Sequence, residues 1–240
     1  MRASGKIVAE ILQVLKEKAQ PGITTAQLDG LAADIIRVRD VKSAFLGYHG
    51  YPAHICVSVN EEVVHGIPGN RVIREGDLVS IDAGVFKDGY CGDAAISFAV
   101  GDVPEEVRRL IESTERSLEE GIKKATAANR LHDISAAVES YAAAHGFSVV
   151  RDYVGHGIGT QMHEDPQVPN FGKPHSGPRL KEGMVLAIEP MLNAGTHEVE
   201  VLKDGWTVVT KDRRPSAHFE HTVAITAQGP EILTCLKKNR

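Results

Sequence analysis

Residues 80–98, "SIDAGVFKDGYCGDAAISF", decide how this chain is read. Its small and apolar residues suit two strands, and Lys87-Asp88-Gly89 between them is a turn signal, so the stretch predicts a β-hairpin. Asp82 and Asp93 stand inside its strands. Centred on Lys87-Asp88, the turn sets Asp82 opposite Asp93. Centred on Asp88-Gly89, it sets Asp93 opposite Gly84, one diagonal from Asp82. Either way the two carboxylates share a face, because the side-chain period of a strand is two. Like charges facing each other destabilise a sheet. Two readings are open at this point: both groups face water, or a cation lies between them.

The bulk numbers narrow the class. The chain has 240 residues, 42% of them hydrophobic, enough for one large core. Its 27 basic and 32 acidic residues give a net charge of −5 with no long block of one sign. That excludes nucleic-acid or membrane-surface binding driven by bulk charge. The three cysteines, Cys56, Cys91 and Cys235, lack metal-ligand spacing and are too few for a disulfide framework, which fits a reducing compartment. No apolar run reaches the roughly 18 residues of a membrane span. The expectation is a soluble cytoplasmic protein.

Outward from the hairpin, the pattern is two helices and then strands, twice over. Ile7, Ile11, Leu12 and Leu15 have helical spacing over residues 5–18, ended by Pro21-Gly22. Thr24 to Gln27 reads as a capping box opening a helix to about residue 38. Pro104 starts a helix of about 104–125, and a second, about 132–145, stops at Gly146. Strand-like segments fill the rest, among them "FSVV", "MVLAIEPML", "WTVVT" and "HTVAIT".

The two halves, about 1–100 and 101–240, also repeat in detail. "REGDLVSID" (74–82) resembles "KEGMVLAIE" (181–189), and "DGY" (88–90) resembles "DGW" (204–206). Asp82 thus corresponds to Glu189. A duplicated unit with a pseudo-twofold axis would bring these carboxylates together at its centre.

Three more residues stand out. His156 lies in "GHGIGTQMHEDP", Glu189 ends the apolar "VLAIE", and Glu220 lies within "SAHFEHTVAIT". Charged groups in apolar strands must be solvated, paired or metal-bound. Four carboxylates and a neutral imidazole balance two divalent cations. Oxygen-rich ligation with one nitrogen suits Mn, Fe or Co better than it suits Zn. Other chemistries fit poorly. "HEDPQ" and "HEVEV" are not H-E-x-x-H, "GHGIGT" is not G-x-G-x-x-G, and no G-x-S-x-G occurs.

Six blocks, "GYHGYP", "NEEVVHGIP", "VSIDAGVFKDGYCGD", "GHGIGTQMHEDPQVPNF", "AIEPML" and "SAHFEHTVAIT", run in order along nearly the whole chain. Together they resemble the short bacterial methionine aminopeptidases, metallopeptidases of the pita-bread fold. The resemblance implies an α+β architecture in a single catalytic domain, residues 1–240, of two pseudo-twofold-related halves, each with helices packed on a mainly antiparallel curved sheet. It implies two divalent ions, from among Co, Mn, Fe, Ni and Zn. Asp82 would chelate one, Asp93 and Glu220 would bridge both, and His156 and Glu189 would bind the other.

Further roles follow from the same resemblance. Glu189 would also carry the proton between water and leaving amine. His65 would contact the scissile amide nitrogen or the substrate backbone, and His163 would donate to the carbonyl oxygen. Tyr48, Tyr51, Cys56, Phe45, Met162 and Trp206 would form the pocket for the methionine side chain, with His49 at its entrance. A monovalent cation would lie near Asn60 and Ser216. Three positions depart from the family pattern. Phe45 stands where a small residue is usual, Met162 where Phe is usual, and His218 where Gln is usual. Members usually carry about a dozen residues before the position of Met1. The expected partners are nascent polypeptide N-termini, at the ribosome, with no nucleic-acid specificity, no membrane, and a monomeric enzyme. The alternatives are an Xaa-Pro aminopeptidase or prolidase of the same fold, or a non-catalytic binding module built on it.

Overall fold

Asp88-Gly89 turns out to be the turn. In a computed structural model of the protein, which describes residues 1–236, Asp88 and Gly89 have φ of 51° and 81° and Lys87 pairs with Tyr90. Two consecutive positive φ values make a tight hairpin turn, for which Asp-Gly is suited. The ladder then pairs Gly84 with Asp93 and Asp82 with Ala95, so the two aspartates are diagonal neighbours and not direct opposites. Residues 237–240 of the expected domain lie outside the described residues.

In chain order, the first part supplies helices α1 (Arg2–Lys18) and α2 (Thr25–Val38), then strands β1 (Lys42–Ser43), β2 (Ile55–Val59), β3 (Glu62–Val64), β4 (Leu78–Lys87) and β5 (Tyr90–Ala99). The capping box forms as expected: the Thr24 hydroxyl accepts from Gln27 N–H at 3.2 Å and Gln27 Oε1 accepts from Thr24 N–H at 2.8 Å. Helices α3 (Glu105–Lys123) and α4 (Leu131–Ala144) follow. Then come β6 (Ser148–Val149), β7 (Gly155–Gly157), β8 (Glu164–Val168), β9 (Val185–Ile188) and β10 (Met191–Asn193). The last five are β11 (Val199–Val201), β12 (Val208–Thr210), β13 (Ser216–His218), β14 (Glu220–Thr226) and β15 (Gly229–Ile232).

Nine strands make one curled sheet, ordered β1-β4-β5-β14-β9-β7-β8, with β2 also on β4 and β15 also on β14. Every pairing in it is antiparallel. About the β5/β14 seam the order is a mirror: β2-β4-β5 on one side, β14-β9-β7 on the other. Two three-stranded sheets, β13-β10-β6 and β11-β12-β3, complete the fold.

Alternation assigns the two faces. Val79, Ile81, Ala83 and Val85 of β4 pack with Val8, Ile11, Leu12 and Leu15 of α1 in one apolar cluster. A second cluster joins Leu118 and Ile122 of α3 to Leu186, Ile188, Val223 and Ile225. Helices therefore cover one face of the sheet. Ser80, Asp82, Gly84 and, across the turn, Asp93 and Ala95 necessarily point to the other.

Candidate metal centre and active site

The registers place the carboxylates before any side-chain distance is considered. On the helix-free face one row across the strands reads Asp82, Ala95, Glu220. His221 pairs with Ile188, and the same register one step on brings Glu189 level with Glu220. The adjacent row reads Gly84, Asp93, then Thr222 at the seam, Ala187 and His156. All five expected ligands thus fall in two neighbouring rows, separated by small residues that leave space above the sheet.

Gly84 shows how little room is left beneath. A Cβ there would lie 2.9 Å from Phe45 Cε1 and 3.1 Å from Asp93 Oδ1. Only glycine lets the aspartate and the aromatic ring approach the strand together.

Ligand atoms of Asp93, His156 and Glu220 lie within 4.8 Å of one another, and all three residues are buried. His156 Nε2 is 3.5 Å from Glu189 Oε1. Burial, reinforced by neighbouring carboxylates, holds Asp82, Glu189 and Glu220 well above the usual carboxylate range, and burial pushes Asp93 up to about 7. Burial moves the imidazoles the other way. His156 and His65 fall to about 4, and His218 to about 3. These rings are neutral at pH 7, as metal ligation or hydrogen-bond donation to a developing oxyanion requires.

Do these residues fit a cation? Asp82 Oδ1, Asp93 Oδ1, Glu220 Oε1 and His218 Nε2 are buried without a hydrogen-bond partner. Buried acceptors are normally satisfied, and buried like charges normally neutralised. Divalent metal would satisfy the carboxylate oxygens and cancel their repulsion together. The donor set fits.

One cavity of about 150 Å³, a volume that elsewhere holds a benzene-sized group, adjoins the carboxylates. Its wall brings together most of the residues expected from the sequence; His49, expected at the entrance, is not among them. Asp82, Asp93, His156, Glu189 and Glu220 line it with His65 and His163, and Phe45, Tyr48, Tyr51, Cys56, Met162 and Trp206 form the apolar side. Tyr51 meets Trp206 edge-on at 5.0 Å and Phe45 at 6.5 Å. Phe45 and Met162, the two departures from the family pattern, share this wall. His65 holds a positive φ of 60°, a conformation that non-glycine residues adopt mainly where surroundings impose it. Its ring meets Tyr153 at 5.5 Å and Trp206 at 6.2 Å. His163 lies 4.2 Å from His156, ring centre to ring centre, and its Nδ1 is 2.7 Å from the Tyr48 hydroxyl. The third departure, His218, sets Nε2 3.9 Å from Glu189 Oε2. Asn60 and Ser216 also meet, through a Ser216 N–H to Asn60 carbonyl bond of 2.9 Å.

Two partners here escape a reading of the sequence. Tyr153 carries no motif of its own, and its position shortly before His156 was the one available signal. The Tyr48–His163 bond joins residues 115 positions apart, and nothing local announces it.

A curled antiparallel sheet with a buried carboxylate–imidazole cluster on its helix-free face, in a pocket whose other wall is apolar, is the arrangement of a metal-dependent hydrolase. The comparisons agree. A family model described as metallopeptidase family M24 matches residues 1–227. The chain is 55% identical to a methionine aminopeptidase of Clostridium perfringens, over 99% of this chain and 95% of that one. The crystal structure of methionine aminopeptidase from Thermotoga maritima superposes with a TM-score of 0.97 at 47% identity, covering 98% and 95% of the two chains. A prolidase from Pyrococcus horikoshii shares the fold at a TM-score of 0.77 and 19% identity, and this chain spans 61% of its length. The chain belongs to metallopeptidase family M24. Within that family it is similar over its full length to the methionine aminopeptidases. Among the described residues, no helix is long and apolar enough to cross a membrane.

Proposed function

We propose that this chain removes the N-terminal methionine from peptides and nascent polypeptides whose second residue is small, with two divalent metal ions held by Asp82, Asp93, His156, Glu189 and Glu220. The observation that carries this reading is the sulfur- and aromatic-lined cavity directly against the carboxylate cluster. Thioether sulfur packs well against aromatic edges, so the wall of Phe45, Tyr51, Met162 and Trp206 suits a methionine side chain. A pair of divalent ions bound there supplies Lewis acidity and makes water ionisable near neutral pH.

The chain's own groups do the rest. The pocket seats the methionine side chain and so fixes the scissile carbonyl beside the carboxylates. Glu189 takes the proton as water oxygen bonds to the carbonyl carbon, then delivers it to the leaving nitrogen as the C–N bond breaks. His163 donates to the carbonyl oxygen as negative charge builds there. His65 contacts the scissile amide nitrogen. The cellular setting in this reading is the cytoplasm, with a monomeric enzyme acting on chain ends as they leave the ribosome.

Purification without oxygen, metal analysis, and turnover of Met-Ala against Xaa-Pro peptides test it together. Release of methionine that stops with chelator and returns with added metal is the expected result. Faster turnover of Xaa-Pro peptides would assign the chain to the prolidase branch of its fold instead. Absence of both metal and turnover would point to a binding module.

A further inference from the structure

The Tyr48 hydroxyl and His163 Nδ1 approach to 2.7 Å. We propose that Tyr48 is a positioning residue: its hydroxyl donates to Nδ1 and so holds the single ring proton of His163 on Nε2. This rests on the oxyanion-donor role given to His163 above, and extends it to the group that makes the ring a donor there.

A neutral imidazole has one N–H, and the partner of one nitrogen decides which nitrogen carries it. The 2.7 Å contact is to Nδ1, so in a neutral ring Nε2 carries the proton only if the hydroxyl is the donor. A tyrosine hydroxyl can donate or accept, so the bond could form in either sense. One observation favours donation by the Tyr48 hydroxyl. Among the described residues its one hydrogen-bond partner is His163. Were Nδ1–H the donor, the hydroxyl hydrogen would have no protein acceptor, and Nε2 could not donate to an oxyanion.

The surroundings hold the pair in place. Tyr48 sits in a tight loop in which its N–H bonds to the Phe45 carbonyl at 2.9 Å and its carbonyl accepts from Tyr51 N–H at 2.9 Å. His163 ends the β7–β8 segment, which is tied to the hairpin by Cys91 N–H to the Gly159 carbonyl at 2.8 Å. The two loops come from different halves of the sheet, and this side-chain bond joins them across the mouth of the cavity. Tyr48 also faces the pocket, so two roles compete. A lining residue would act on methionine binding, whereas a residue that sets a tautomer would act on the chemical step.

Tyr48→Phe keeps the ring and removes only the hydroxyl, which separates the two. We expect kcat on a Met-Ala peptide to fall about 2- to 12-fold, the rate equivalent of one neutral hydrogen bond. KM should stay within about twofold, and metal affinity should be unchanged. His163→Ala alone should cost roughly 10²–10³-fold in kcat. In the His163→Ala background Tyr48→Phe should have no further effect, since the hydroxyl then has nothing to orient. Nitrogen-15 spectra of zinc-loaded, histidine-labelled protein should show His163 with its proton on Nε2, and a mixture of tautomers in Tyr48→Phe. The proposal is overturned by a proton on Nδ1 in the parent protein, by a Tyr48→Phe effect confined to KM, or by an equal loss in both backgrounds. The spectra report on the tautomer whether or not the peptide is a substrate. A failure of the aminopeptidase reading would therefore show separately, as a parent enzyme inactive on Met-Ala.

Discussion

Asp93 and Glu220 come from different halves of the sequence and meet on the two strands that form the seam of the sheet, with ligand atoms inside the same 4.8 Å group as His156. Removing either carboxylate takes away a group that both metal ions would share. For Asp93→Ala or Glu220→Ala we expect bound metal to fall below one equivalent and activity to drop by more than about 10²-fold, exceeding the loss typical of outer partners of ligands. Elemental analysis alongside turnover under limiting metal checks this. Near-normal turnover in either variant would sink the shared-metal assignment.

The metal-free protein should lose stability as pH rises from 7 to 9. Asp82, Glu189 and Glu220 have folded pKa values raised well above their unfolded ones, and Asp93 is raised to about 7. A raised carboxylate contributes stability that is fully present below its unfolded pKa and is lost as pH climbs through the folded value. The depressed histidines act in the opposite direction. Their contribution is present above about 6.5 and is lost as pH falls through about 4, so they do not obscure the alkaline window. Bound metal keeps the carboxylates ionised and should flatten the slope. Thermal unfolding at pH 7 and 9, with and without metal, measures it. A pH-independent Tm for the metal-free protein would contradict the electrostatic account.

Gly84→Ala tests the packing beneath the site. Its added methyl would stand within 3.1 Å of Phe45, Ala44 and Asp93 atoms, closer than ordinary contact. The aromatic ring and the carboxylate must both shift. Overpacking of this kind costs about 1–3 kcal/mol, and displacement of Asp93 should weaken metal binding by about tenfold or more. Calorimetric titration of manganese together with a melting curve would register both. Unchanged affinity would mean that Asp93 does not hold its metal from the position seen here.

Substrate choice should follow the second residue. Met-Ala, Met-Gly and Met-Ser peptides should be cleaved well. Met-Leu should be slower, by roughly the 10–200-fold that steric discrimination in a pocket supplies. Met-Arg should be slower still, since its guanidinium would also lose water beside the metals. Steady-state kcat/KM across this series is the measurement. Rapid release of methionine from Met-Arg would show that Phe45 and Met162 have opened the rim.

Much of this was legible because its signals are local. The capping box of Thr24 and Gln27, the stop at Gly146 and the Asp88-Gly89 turn each depend on a few adjacent residues. The hairpin left two registers open, because both put Asp82 and Asp93 on one face. The positive φ values at Asp88 and Gly89 chose between them. Glu189 was legible as a carboxylate ending an apolar strand, but its alignment with Glu220 depends on a pairing between distant strands. Contacts between side chains on separate loops, such as Tyr48 with His163 or Tyr153 with His65, leave no local trace at all.

The mirror order of the sheet also bears on how this protein is born. Synthesis runs from Asp82 and Asp93 to His156, Glu189 and Glu220, so an emerging chain displays acidic strands long before their counterparts exist. A metal ion met early finds an incomplete set of donors and little reason to stay. The full set of five proposed donors would exist only once β14, which carries Glu220, lies between β5 and β9. Metal retention would thereby report that synthesis had passed residue 220, and a fragment stalled short of it should hold metal weakly.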